Sequence, residues 1–244
     1  MTTISGPSRL PRKTWTVAGL YRRFGPIPFE RIRQNPAPGS GTVDDVVRLN
    51  DHEDRLYELV DGILVQKTVG LPESIVAINV VTHLNVFVMA RGLGVVAGAD
   101  GTIQLDINLV RIPDASFISW KRLPGGEVPE DPVPLLVPDL VVEVISTGNT
   151  RKEMEEKLQE YFEKGVRLVW YVRPKIRVVD VYTAPDRFTR LTASMQIDGG
   201  DVLPGFSVQV ADLFEIPKRP GKQKEQKKND PQPGKKNGRR RGHS

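Results

Sequence analysis

The chain has 244 residues, a net charge of +5 and no cysteine. This length suits one domain of ordinary size with extensions, or at most two small domains. The absence of cysteine excludes disulfides and cysteine-based zinc sites, and no continuous apolar run approaches the roughly 18 residues that span a bilayer. We therefore expect a soluble, cytoplasmic protein with no membrane segment.

The charge is distributed unevenly along the chain. Residues 1–41 contain 7 basic and 1 acidic residues, residues 217–244 contain 11 and 2, and residues 42–216 contain 17 and 27. The two ends therefore carry +6 and +9, and the middle carries −10. Such an acidic middle lacks the broad basic face that nucleic-acid binding favours, although the basic ends could attract a polyanion.

Composition divides the chain into three segments. Residues 1–41 are rich in Pro, Gly and Arg, and the four prolines within residues 25–38 argue against a helix interior or a central strand, so we predict an extended, partly disordered arm. Residues 42–216 form the predicted domain. Residues 217–244 have almost no apolar side chains and are predicted to be a basic, disordered tail.

The first half of the domain contains a hairpin and a long helix. A helix is predicted to start at Thr42, and Asp61-Gly62 between two apolar runs is typical of a type I′ hairpin turn. A longer amphipathic helix is predicted over residues 72–90. Its apolar stripe comprises Ile75, Ile78, Val81, Leu84 and Val88. Short strands are predicted at 94–97, 102–105 and 115–119, before a proline-rich surface loop at 124–138.

The most informative stretch is residues 139–161. The β-branched run around Glu143 is typical of a strand buried on both faces, where a lone carboxylate costs several kcal/mol unless a cation or hydrogen-bond donors compensate it. We therefore expect a partner beside Glu143, either an arginine or a functional site. Thr150 and Glu153 have capping-box spacing, which predicts a helix start. Further strands are predicted at 167–172, 176–182, 188–191, 196–197 and 206–208.

Two more residues complete a candidate site with Glu143. Asp114 follows a proline at the mouth of a predicted strand, and alone it suits a turn aspartate as well as a metal ligand. Two carboxylates on neighbouring strands can hold one Mg²⁺, with water and a substrate phosphate as its other ligands. Lys157 lies at the edge of the apolar stripe of the following helix, where it could reach the strand or pair with Glu153 at the surface.

These residues lie in segments that resemble a known family. VRIPDASFIS and PDLVVEVISTGNTRKEMEEKLQEYFEKGVRLVWYV, with YELVDGILVQK upstream and RVVDVYTAPD downstream, are similar to the Uma2 family (DUF820) of the PD-(D/E)xK nuclease superfamily. The resemblance covers about residues 43–211. It implies an α/β (α+β) restriction-endonuclease-like core, in which a central mixed β-sheet is flanked by helices. It also implies an endonuclease that acts on DNA with Mg²⁺, for which Mn²⁺ could substitute.

The resemblance also assigns roles to individual residues. Asp114 and Glu143 match the metal-binding carboxylates. The superfamily's usual lysine lies two residues after the Glu, where this chain has Ile145, and Lys157 on the following helix matches the relocated lysine that assists the attacking water. Glu58 matches an acidic position that supports the site, and a plain hairpin residue is the alternative.

One position departs from the family pattern. Many relatives have a histidine near the start of the first long helix, where this chain has Pro72-Glu73-Ser74; His83 lies deeper, and Glu73 is a candidate substitute. The alternative function is therefore a catalytically inactive module that binds nucleic acid or a protein partner, and a hydrolase for another substrate is a third. In the nuclease hypothesis, the basic ends or a homodimer would supply the phosphate contacts.

Overall fold

The computed structural model describes residues 15–68 and 70–216. The tail predicted for residues 217–244 lies outside these residues, as do residues 1–14. The helices are α1 (Val17–Phe24), α2 (Val43–His52), α3 (Leu71–Arg91) and α4 (Arg151–Glu163). The strands are β1 (Tyr57–Val60), β2 (Ile63–Gln66), β3 (Gly94–Ala97), β4 (Ile103–Asp106), β5 (Leu109–Arg111), β6 (Ala115–Ser119), β7 (Leu140–Val144), β8 (Leu168–Arg173), β9 (Val178–Ala184), β10 (Arg187–Thr192), β11 (Gln196–Gly199) and β12 (Leu203–Gln209).

A six-stranded mixed sheet lies at the centre of the fold, which confirms the predicted fold class. Its strand order is β10-β9-β8-β7-β6-β3, and β7 and β8 are parallel whereas the other neighbours are antiparallel. Helix α3 packs with one face of this sheet and α4 with the other. Alternate residues of β7 therefore enter two separate cores, with Val142 on the α3 side and Val141 on the α4 side.

A second sheet, of order β2-β1-β5-β4, packs over α4. The predicted hairpin turn joins β1 to β2, and its two residues, Asp61 and Gly62, have φ values of 51° and 76°, as a type I′ turn requires. Helix α2 begins at the predicted N-cap, Thr42, and covers the outer side of this sheet. The three-residue strand β5 was not predicted. It leads through three residues, the last of which is Asp114, into β6, so the chain passes from one sheet to the other at Asp114.

The predicted long helix is confirmed as α3, but the predicted buried face is partly wrong. Leu84 and Val88 are buried as expected, whereas Ile78 is 58% exposed. The remaining core positions are Val76, Ala77 and Val80. Apolar residues surround nearly the whole helix, so their periodicity could not select the buried face. By length and composition alone, α3 could span a membrane, contrary to the expectation that no segment would qualify.

Residues 15–41 pack against the domain. Helix α1, which was not predicted, lies along α4, and Leu20 and Phe24 share a core with Met154 and Leu158. The side chain of Arg31 is buried and forms a two-bonded ion pair with Glu153, at 2.9 and 2.7 Å. This described part of the predicted arm is therefore attached to the helix that carries Lys157.

Candidate active site

Asp114 and Glu143 lie side by side because of the β6–β7 register. The β6–β7 pairing ends at Ala115 and Val142, and the next residue, Asp114, bonds to both neighbours of Glu143: its backbone N–H donates to the Val142 carbonyl at 3.0 Å, and its Oδ2 accepts the Val144 N–H at 2.7 Å. The negative charge of Asp114 also raises the pKa of Glu143, as expected for two carboxylates that lie close together. Glu143 is on the α4 side of the sheet, because the adjacent residue Val142 belongs to the α3-side core. The structure thus brings together the two carboxylates that the sequence singled out.

Glu143 is buried, and two side chains of α4 compensate its negative charge. Its Oε1 atom accepts a hydrogen bond from the Tyr161 hydroxyl at 2.6 Å and from Lys157 Nζ at 3.2 Å. The expected partner of Glu143 is therefore a lysine rather than an arginine. The alternative surface pair of Lys157 with Glu153 is wrong, because Lys157 is only 3% exposed and Glu153 pairs with Arg31.

Glu58 is the second carboxylate bound by Lys157. Its Oε1 atom lies 2.9 Å from Lys157 Nζ and also accepts the Ile112 backbone N–H at 3.1 Å, while Oε2 lies 2.8 Å from Arg111. Burial by itself would raise the pKa of Glu58, but Lys157 and Arg111 outweigh it and lower the pKa to about 2. Glu58 is therefore ionised and buried, and this residue of the β1–β2 hairpin is joined to Glu143 through Lys157.

The charge network continues from the site to the surface through Glu160. This carboxylate bonds to Arg111 on the inside and to Arg23 of α1 on the outside. Burial would raise the pKa of Glu160, but the two guanidinium groups lower it. Since Arg23 also bonds to Glu156 at 2.8 Å, helix α1 is connected by ion pairs to the residues that surround Lys157.

Asp114 has its own pair of donors. Its Oδ2 atom accepts the Val144 backbone N–H at 2.7 Å, and its Oδ1 atom lies 2.9 Å from the ammonium of Lys67, just after β2. The Asp114 side chain is the more accessible of the two carboxylates, at 14% exposed against 6% for Glu143. Asp114 therefore lies at the open side of the site, with Lys67 beside it.

The donor set fits a divalent cation that prefers oxygen ligands. Among the described residues, hydrogen bonds reach only Oε1 of Glu143, so Oε2 is left as a ligand atom beside Asp114. Burial raises the pKa of Glu143, and the negative charges of Asp114 and Glu58 add to this effect against the attraction of Lys157. The described part of the chain holds no group of three or more His, Cys, Asp and Glu side chains arranged for a metal. Asp114 and Glu143 would thus bind a metal as a pair, with water and phosphate as the other ligands.

The family histidine has no counterpart at the described site. His83 lines a surface groove together with Phe206, which belongs to the α3-side core. The carboxylate of Glu73 lies against Gly70 at the start of its own helix. No hydrogen bond or ion pair joins Glu73 to Asp114 or Glu143 within residues 15–68 and 70–216.

Sequence reasoning missed several residues of the network, including Lys67, Arg111 and Glu160. Arg111 ends β5 and Lys67 directly follows β2, and a cation at the end of an apolar run is a signal that could have identified them. Glu160 has no comparable signal, since a glutamate on an exposed-looking helix is ordinary.

Comparison with known proteins agrees with this architecture. The family model described as "Uma2: Putative restriction endonuclease" matches residues 43–211. A crystal structure of a "putative nuclease belonging to DUF820" from Anabaena variabilis has 18% sequence identity and a TM-score of 0.62, and the similarity covers 71% of this chain and 97% of that one. At this identity the similarity concerns the fold. No curated protein matches the chain. Because the family model covers well over half of its residues, the chain belongs to the Uma2 family.

Proposed function

We propose that this protein is a Mg²⁺-dependent endonuclease that hydrolyses DNA phosphodiester bonds, with Mn²⁺ as a substitute ion. The observation that carries the proposal is that Asp114 bonds to both neighbours of Glu143, Val142 and Val144, while Oε2 of Glu143 is left without a hydrogen bond among the described residues. The family description supports a nuclease.

In this proposal the two carboxylates hold the ion, and the residues of α4 orient them. Tyr161 and Lys157 both bind Oε1 of Glu143, which leaves Oε2 as a ligand atom. A divalent cation held by these carboxylates would lower the pKa of a water ligand and neutralise charge on the phosphate. Lys157 donates two of its three N–H bonds to Glu143 and Glu58, so one remains for the attacking water.

Glu58 and Arg111 hold Lys157 in position in this proposal. Their ion pair at 2.8 Å is buried, and it holds Oε1 of Glu58 against Lys157. Lys157 is thus fixed between two carboxylates and cannot swing out to solvent. Glu58 is accordingly a positioning residue in our proposal, whereas Asp114 and Glu143 touch the ion.

Phosphate contacts must come largely from outside the acidic middle of the chain. Residues 42–216 carry −10, which repels a polyanion, whereas residues 1–41 and 217–244 carry +6 and +9. We propose that these basic ends hold the DNA backbone, with a second copy of the chain as the other source of basic residues.

The test is a plasmid-nicking assay of the full chain with Mg²⁺, comparing the wild type with Glu143→Gln. This substitution keeps the shape of the side chain and removes the negative charge, so metal-dependent nicking should fall by at least 100-fold. Glu155→Gln is the control for loss of a carboxylate charge, because Glu155 lies on the surface of α4 and pairs there with Arg151. If Glu143→Gln nicks DNA as well as the wild type, Glu143 is not part of the active site. A wild type that binds no Mg²⁺ or Mn²⁺ at millimolar concentration in calorimetry would favour the catalytically inactive module.

A further inference from the structure

The residue of interest is Lys67, whose ammonium lies at the open side of the site. Its backbone N–H donates to the carbonyl of Leu56 at 2.8 Å, which attaches the residue to the chain just before β1. Its Nζ atom lies 2.9 Å from Asp114 Oδ1 and donates to the carbonyl of Ala99 at 2.8 Å. The side chain is 5% exposed, so it is fixed in place rather than sampling the solvent.

Lys67 and Lys157 compensate different parts of the carboxylate pair. Lys157 lies against Oε1 of Glu143 on the α4 side, whereas Lys67 lies against Oδ1 of Asp114. Because Oδ2 of Asp114 accepts the Val144 N–H, Oδ1 is the oxygen most available to a metal ion, and it is the one that the ammonium contacts. The ammonium of Lys67 therefore occupies the Asp114 oxygen that a cation shared by Asp114 and Glu143 would need.

We propose that Lys67 is a tethered cation that neutralises Asp114 when no metal is bound and competes with a divalent ion for Oδ1 of that carboxylate. This inference rests on the proposed metal site. A divalent ion on Oδ1 would lie close to the ammonium on the same oxygen, and the repulsion between the two positive charges opposes metal binding until the ammonium moves away from Asp114. The bond to Ala99 offers the ammonium a second acceptor as it moves. Lys67 thus stabilises the metal-free site at the expense of metal affinity.

The test is calorimetric titration of the full chain with Mn²⁺, together with thermal melting without metal. Lys67→Met removes the charge and keeps most of the side-chain volume. We expect it to bind Mn²⁺ about tenfold more tightly than the wild type, equivalent to about 1.4 kcal/mol, and to melt at a lower temperature without metal. Lys67→Gln, which can still donate to Ala99, is a second variant if Lys67→Met does not fold. Lys152→Met is the matched control, since Lys152 is a partly exposed lysine paired with Glu156 on α4.

Salt concentration separates direct competition from a general charge effect. A contact at 2.9 Å is screened little, so the gain in affinity should persist at about 0.5 M salt, whereas a long-range effect would fade. Equal or weaker Mn²⁺ binding by Lys67→Met, or a gain that disappears in salt, would overturn the inference while leaving the metal site in place. Absence of binding in the wild type and in both Lys67 variants would instead overturn the metal site itself.

Discussion

Replacing Lys157 by methionine tests whether the buried ammonium holds the site together. The wild-type side chain is 3% exposed and lies 2.9 Å from Glu58 and 3.2 Å from Glu143. Methionine fills most of the volume but leaves both carboxylates without this cation. Lys157, together with Arg111 and the Ile112 backbone N–H, lowers the pKa of Glu58 to about 2, so Glu58 would remain charged and buried with part of its compensation removed.

We therefore expect Lys157→Met to lose about 3 kcal/mol at pH 7, within the usual range for breaking a buried ion pair. With a urea m-value of about 2 kcal/mol per M, the unfolding midpoint would fall by about 1.5 M. Lys152→Met, a change on the outer surface of the same helix, should stay within about 0.5 kcal/mol of the wild type.

The difference in unfolding free energy between Lys157→Met and the wild type should become smaller in acid. The folded-state pKa of Glu58 lies below its unfolded value, so its contribution is fully present above pH 4.5 and is lost as pH falls toward about 2. The variant lacks the part of this contribution that Lys157 provides, so acid removes less stability from the variant than from the wild type. Urea unfolding at pH 7 and near pH 4 measures the effect. If Lys157→Met loses less than about 1 kcal/mol of unfolding free energy at pH 7, or if this loss does not change with pH, the reasoning is refuted.

Two further predictions concern residues 1–41 and 217–244. Arg31→Met should lower the free energy of unfolding by about 3 kcal/mol or more, because it leaves Glu153 buried without its guanidinium partner. Arg33→Met removes a half-buried pair and should lower it by less. Equal losses in urea unfolding would show that burial of the Arg31 pair contributes nothing to stability. Deleting residues 217–244 should weaken DNA binding and flatten its dependence on salt, since 11 basic residues are lost; an unchanged slope in fluorescence-anisotropy titrations would exclude these residues as a contact surface.

Local patterns were enough to predict much of the α4 side of the fold. The capping box of Thr150 and Glu153 is present at the start of α4, and the Asp61-Gly62 turn joins β1 to β2. Both depend on residues within a few positions of one another, so the sequence contains all the information. Helix α1 was missed because the surrounding prolines outweigh its eight residues, and it depends on packing against α4.

The sequence by itself determined that Glu143 would be a charged residue in a buried strand and that a compensating partner had to lie beside it, because burial of a lone carboxylate is costly. Only the tertiary structure decided which residues provide the compensation. The β6–β7 register places Asp114 beside Glu143, and the meeting of two sheets with α4 brings Glu58, Lys67 and Lys157 to the same point. Such pairs join residues up to 99 positions apart, and no local pattern encodes a contact at that separation.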